Sequence, residues 1–91
     1  MIRETVLIEN KLGLHARAAA KLVRLASGFS SRIYLSREGN SREFDSKSIL
    51  GILMLAAAQG TRLVVSIEGS DERKAVEAIK LLFEQGFGEE C

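Results

Sequence analysis

Hydrophobic and polar positions along the chain change period several times, and each change marks an element. From Ile2 to Ile8, Ile2, Val6 and Ile8 fall on one side, and Arg3, Thr5 and Leu7 on the other. A period of two predicts a strand, with Glu4 an exception on the otherwise apolar side. Between Ala16 and Ser27 the period lengthens, and Ala19, Leu22, Val23 and Ala26 trace the stripe of an amphipathic helix that Gly28 can end. Arg32 to Ser36 reads as a short strand, Glu38-Gly39-Asn40 as a turn and Ser41 to Asp45 as the returning strand. Ser48 offers an N-cap to a helix over Ile49 to Ala58, with Gly60 as its stop. Arg62 to Glu68 alternates again, burying either Leu63, Val65 and Ile67 or the residues between them. After the turn Gly69-Ser70-Asp71, Ser70 or Asp71 caps a last helix from Glu72 to Gln85. Its buried stripe is Val76, Ile79, Leu82 and Phe83, and Gly86-Phe87 reads as a Schellman ending with Phe87 folding back near Leu82.

The order β-α-β-β-α-β-α predicts an α+β open-faced sandwich, a four-stranded antiparallel sheet with three helices on one face. With no glycine-rich phosphate loop and no long parallel-strand run, a doubly wound nucleotide fold fits poorly. No linker, repeat or low-complexity run divides the chain, so residues 1–91 are expected to form a single domain.

Composition narrows the functional classes. The 91 residues are 46% apolar and 27% charged, enough for one modest core. Thirteen basic and 12 acidic residues leave a net charge of +1, which gives no field for nucleic acid or an anionic membrane. Aromatic residues make up 5% with no Trp, so base-stacking platforms are not expected either. The single cysteine, Cys91, suggests neither a disulfide nor a metal or redox site, and no metal or other cofactor is expected. No apolar run approaches the ~20 residues that span a bilayer, and the opening MIRETVLIEN lacks a signal-peptide layout, which makes the cytoplasm the expected compartment.

The one histidine, His15, falls between the first strand and the first helix, in Gly13-Leu14-His15-Ala16-Arg17. Free backbone N–H groups and the positive end of the helix dipole there make an anion site. Arg17 adds a planar guanidinium for phosphoryl oxygens, and Gly13 permits a tight exit from the strand. These parts suit reversible phosphorylation of an imidazole. Taken alone, the same histidine also fits a surface loop or a helix cap.

Asn10-Lys11-Leu12-Gly13-Leu14-His15-Ala16-Arg17 resembles the active-site signature of the HPr family, phosphocarriers of the bacterial phosphotransferase system. Ser46-Lys47-Ser48-Ile49-Leu50-Gly51-Ile52-Leu53-Met54-Leu55 resembles the family's second motif, with Ser48 at its regulatory serine. Gln59-Gly60-Thr61 and Glu68 to Glu72 resemble its next two turns, and the ending Leu82 to Phe87 is similar to the nitrogen-related (NPr) branch. The resemblance implies that enzyme I phosphorylates His15 on Nδ1, that Arg17 holds the phosphoryl group, and that an EIIA-type protein receives it. It also implies that an HPr kinase/phosphorylase acts on Ser48 in hosts that have one. One departure is Ala18, where the family places proline at the start of the helix. Alanine restores an N–H and loosens the turn by up to ~1 kcal/mol through the unfolded chain.

Ser48 also reads as an ordinary N-cap, a role compatible with phosphorylation, because a helix N-terminus favours the added charge. From Ile49 to Ala58 every residue is apolar or glycine. A face of Ile49, Ile52, Leu53 and Ala56 is expected to pack on the sheet, leaving Leu50, Met54 and Ala57 partly outward. The docking set is therefore expected to include Ile49, Leu50, Met54 and Arg24, with Arg17, Lys21 and Arg24 near one end to steer an acidic partner. A monomer is expected. Two other readings remain at this stage, a regulatory binding module that transfers no phosphate and a small acylphosphatase-like hydrolase. The second lacks its glycine-rich loop and catalytic asparagine here.

Overall fold

The computed structural model describes residues 1–89. Its elements are β1 (Ile2–Leu7), α1 (Ala16–Ser27), β2 (Arg32–Arg37), β3 (Phe44–Asp45), α2 (Ile49–Leu55), β4 (Arg62–Glu68) and α3 (Glu72–Glu84). A single 3-10 turn at Gly86–Gly88 follows α3. The four strands form one antiparallel sheet in the order β1-β4-β2-β3. Opposed residues share a face in such a ladder, so the rows Ile2–Ile67–Ile33 and Val65–Leu35 lie together under the helices. The alternation in β4 thus resolves to Leu63, Val65 and Ile67, all buried, while Arg3, Thr5, Ser66 and Tyr34 share the opposite face. Ala19, Leu22 and Ala26 of α1, Ile52 and Leu55 of α2, and Val76, Ile79 and Phe83 of α3 close the core from one side.

Glu4, the exception in the first strand, lies in the row of Val65 and Leu35 on the helix side. It is accommodated because β1 is an edge strand and Lys80 of α3 meets its carboxylate at 2.9 Å. Among the described residues no helix is long and apolar enough to cross a membrane.

The structure corrects several expected boundaries. β3 has two residues rather than five, because the Asn40 side chain accepts the Arg42 amide at 2.9 Å and bends the chain away from the ladder. α2 ends at Leu55 instead of Ala58. Ala56 turns left-handed (φ 52°), and the Arg37 guanidinium takes the carbonyls of Leu55 and Ala56 at 2.9 and 3.1 Å. The packing of α2 changes accordingly. Ile52 and Leu55 are its buried residues, and Ala57, expected outward, turns inward beyond the helix. Ile49, Leu53 and Ala56, expected against the sheet, are exposed.

α3 stops at Glu84, and Phe87 folds back with its ring edge-on against Phe83, ring centroids 4.9 Å apart. Asp71 occupies the N-cap position of α3 but does not cap it. Its carboxylate reaches across to the Ser30 and Ser31 amides, at 2.9 and 3.0 Å, and to the Ser31 hydroxyl.

Candidate functional site

The loop between β1 and α1 is built from its own backbone. Asn10 is fully buried, and its side-chain amide donates to the Gly13 carbonyl at 2.8 Å. Gly13 is left-handed (φ +65°), and a Cβ there would lie 2.5 Å from the Ala57 carbonyl oxygen. Only glycine lets the two segments come this close. The Leu14 amide then donates to that Ala57 oxygen at 2.9 Å, and the Leu14 side chain is buried. His15 is thereby fixed at the N-cap of α1, in extended backbone, with no side-chain capping bond. The helix itself offers no acceptor for the N–H groups of its first turn, and Ala18 leaves one more of them than proline would.

The His15 ring is held from its far edge. Its Nε2 lies 2.6 Å from Oε2 of Glu89. Arg17 donates through Nε to the same oxygen at 3.3 Å, and Asn10 donates to Oε1 at 3.0 Å. Burial alone would push the Glu89 carboxyl up, but the bonds from Asn10, His15 and Arg17 outweigh it and hold the group below its ordinary range. The tail reaches this position because Phe87, left-handed at φ 58°, buries its ring, and Lys21 donates to the Phe87 carbonyl at 2.7 Å. Arg17 stays largely exposed, its side chain 65% accessible.

Sequence reasoning brought His15 and Arg17 to one place, and the structure does the same. It missed Glu89 and gave Asn10 no part of its own. Asn10 stood in the quoted motif, whereas no periodicity marks Glu89. The basic residues of α1 differ from expectation. Lys21 is turned inward to Phe87, and Arg24 stands in the last turn of α1, ~13 Å along the axis from His15. They do not form a cluster at one end.

Ser48 is the N-cap of α2, and its hydroxyl accepts the Gly51 amide at 3.1 Å. Beyond it, Ile49, Leu50, Leu53 and Met54 are 44%, 65%, 39% and 55% exposed, an apolar surface on a seven-residue helix. Leu12, in the loop before His15, is exposed as well. The Ala57–Leu14 bond joins the end of this segment to the His15 loop, while Ser48 lies at the opposite end of α2.

Comparison with known proteins adds to this geometry. Residues 2–85 match a family model described as the PTS HPr component phosphorylation site. The phosphocarrier protein HPr of Xylella fastidiosa (strain 9a5c) is 49% identical over 90 residues, 99% of each chain. The phosphocarrier protein NPr of Escherichia coli (strain K12) is 39% identical over 89 residues, 98% of each. Among solved structures, HPr-C-His from Thermoanaerobacter tengcongensis superposes with a TM-score of 0.94 at 44% identity, over 100% of both chains. An HPr dimer from the same organism superposes with a TM-score of 0.76 at 44% identity, covering 98% of this chain and 100% of that one.

Proposed function

The chain belongs to the HPr family of phosphocarrier proteins of the phosphotransferase system, and from that premise we propose that Nδ1 of His15 is its phosphoryl acceptor. The observation that carries this is the uncapped start of α1, with the one imidazole of the chain fixed beside it and Nε2 already engaged. The Nδ1 lone pair attacks the phosphorus of a phosphohistidine on enzyme I. The donor's N–P bond breaks, and its electron pair returns to the donor ring. The phosphoryl oxygens meet the free N–H groups of α1 and the Arg17 guanidinium, which leaves its long contact to Glu89. The reverse sequence delivers the group to a histidine of an EIIA-type protein. The chain is then itself the covalent intermediate and not an enzyme that turns over substrate.

In this reading the whole chain acts as one domain and a monomer in the cytoplasm, and sedimentation checks the monomer against the dimer known for a relative. Ile49, Leu50 and Met54 form the docking face for enzyme I and the acceptor, and Arg24 contributes charge at its margin. Ser48 is a regulatory site for an HPr kinase/phosphorylase. A dianion there sits at the edge of a surface that must lose its water on docking. Incubation with enzyme I and phosphoenolpyruvate tests the central assignment. An acid-labile, base-stable phosphate is expected on the native chain and absent from His15→Ala, and a labelled variant would overturn it.

A further inference from the structure

We infer that Glu89 is a positioning residue for His15: its carboxylate accepts a hydrogen bond from Nε2–H, so the ring keeps its proton there and presents its lone pair at Nδ1. This deepens the reading of His15 as phosphoryl acceptor and rests on it. An ionised carboxylate can only accept, so the 2.6 Å contact from Nε2 to Oε2 requires the ring proton on Nε2. The other nitrogen of a neutral imidazole then carries the lone pair, and that nitrogen is the nucleophile.

The carboxylate is itself held. Buried Asn10 grips Oε1 at 3.0 Å while anchored to Gly13, so the loop that fixes the His15 backbone also fixes the partner of its ring. The turn at Gly86–Gly88, the buried Phe87 ring and the Lys21 bond to the Phe87 carbonyl bring Glu89 to this point. Glu89 lies outside residues 2–85, the part of the chain matched by the family model. The Nδ1–P bond draws electrons from the ring, leaving positive charge shared with Nε2–H, and the carboxylate across that proton stabilises it. When the group is handed on, the electron pair of the Nδ1–P bond returns to Nδ1 and the Nε2 proton has not moved.

A competing role exists for the same carboxylate. It shares Arg17 with the incoming phosphoryl group, and an occupant of the site would slow transfer. The two roles predict opposite signs. Full-length Glu89→Ala and Glu89→Gln are compared with the native chain in single-turnover transfer from phosphorylated enzyme I. Ring-nitrogen NMR shifts are read in parallel, and the single histidine makes them unambiguous. Glu89→Ala is expected to transfer about tenfold more slowly, the scale of one charge-assisted hydrogen bond, with the ring spread over both tautomers. Glu89→Gln, whose amide oxygen can still accept from Nε2, should fall between. A thermal melt confirms that both variants are folded. Native-rate or faster transfer with unchanged ring shifts in Glu89→Ala overturns the inference. Failure of the native chain to take phosphate would instead remove the reading beneath it.

Discussion

Two helices begin at the residues that matter most here, and they begin differently. α2 starts at Ser48, whose hydroxyl takes the Gly51 amide at 3.1 Å. α1 starts at His15, which makes no capping bond. A cap contributes about 1 kcal/mol, so α1 forgoes that stabilisation. It can do so because Ala18, Ala19, Leu22 and Ala26 are wholly buried in the core and α1 packs against both α2 and α3. α2 has seven residues and only two of them buried, so it needs Ser48 at one end and Arg37 at the other. Donors are thus left open at the start of α1, where the proposed function would have a phosphoryl group received. They are closed at the start of the short α2, whose few buried residues do not hold it alone. Tertiary packing decides which helix can leave its end open.

The largest expected effect is at the open end. His15→Ala should abolish phosphate uptake from enzyme I while leaving the melting temperature within a few degrees, since no cap is lost. Phosphate on Ser48 should come next. An uncompensated dianion beside the apolar face should weaken enzyme I binding more than about a hundredfold, with Ser48→Asp weakening it less. Neither should lower the thermal midpoint, because negative charge suits that end of the helix. Titration calorimetry paired with a melt reads both.

Arg17→Ala should slow transfer by about ten- to a hundredfold, the scale of one or two charge-assisted bonds. The side chain is largely exposed and its charge opposes the helix dipole, so the melt should hardly move. Rapid-quench transfer separates the two quantities. Ser48→Ala inverts that result. Loss of the cap costs about 1 kcal/mol, a fall of roughly 4–8 °C, with transfer from phosphoenolpyruvate unchanged.

The smallest effect belongs to a third helix start. Asp71, at the head of α3, spends its carboxylate on the Ser31 hydroxyl and the Ser30 and Ser31 amides, which hold it at about 2, below its ordinary 3.8. A depressed carboxyl contributes stability that is fully present above its ordinary value and is lost as pH falls through about 2. Melts between pH 5 and 2 should show this as an acid limb, shallower in Asp71→Asn.

Much of this was legible before the structure. Alternation marked β4 as a strand but left its buried face open until the pairing with β2 resolved it to Leu63, Val65 and Ile67. Of the α1 stripe Ala19, Leu22, Val23 and Ala26, all but the half-buried Val23 are fully buried. The end of α2 was not legible. Ala56 takes a left-handed conformation without the glycine that usually signals one, and the side chain that captures the helix end belongs to Arg37 on β2. β3 shrank because Asn40 diverts the chain through a local side-chain bond that an alternating pattern does not register. His15 and Arg17 were visible because one short segment carries both. Glu89 was invisible because its partners are Asn10, His15 and Arg17, at the other end of the sequence. Periodicity speaks for local structure and says nothing of where a tail returns.

The sheet order governs how each copy comes into being. β1 leaves the ribosome first, yet Ile2 pairs with Ile67 and Val6 with Leu63. At ribosomal speed the strand waits on the order of seconds with both edges bare. Closing so long a loop precedes any reward from pairing, which makes the topology slow relative to a helical bundle. The Ala57 oxygen that seats Leu14 likewise arrives late. A half-made chain therefore holds its histidine in a floppy loop, and competence to carry a phosphoryl group is acquired by finished molecules.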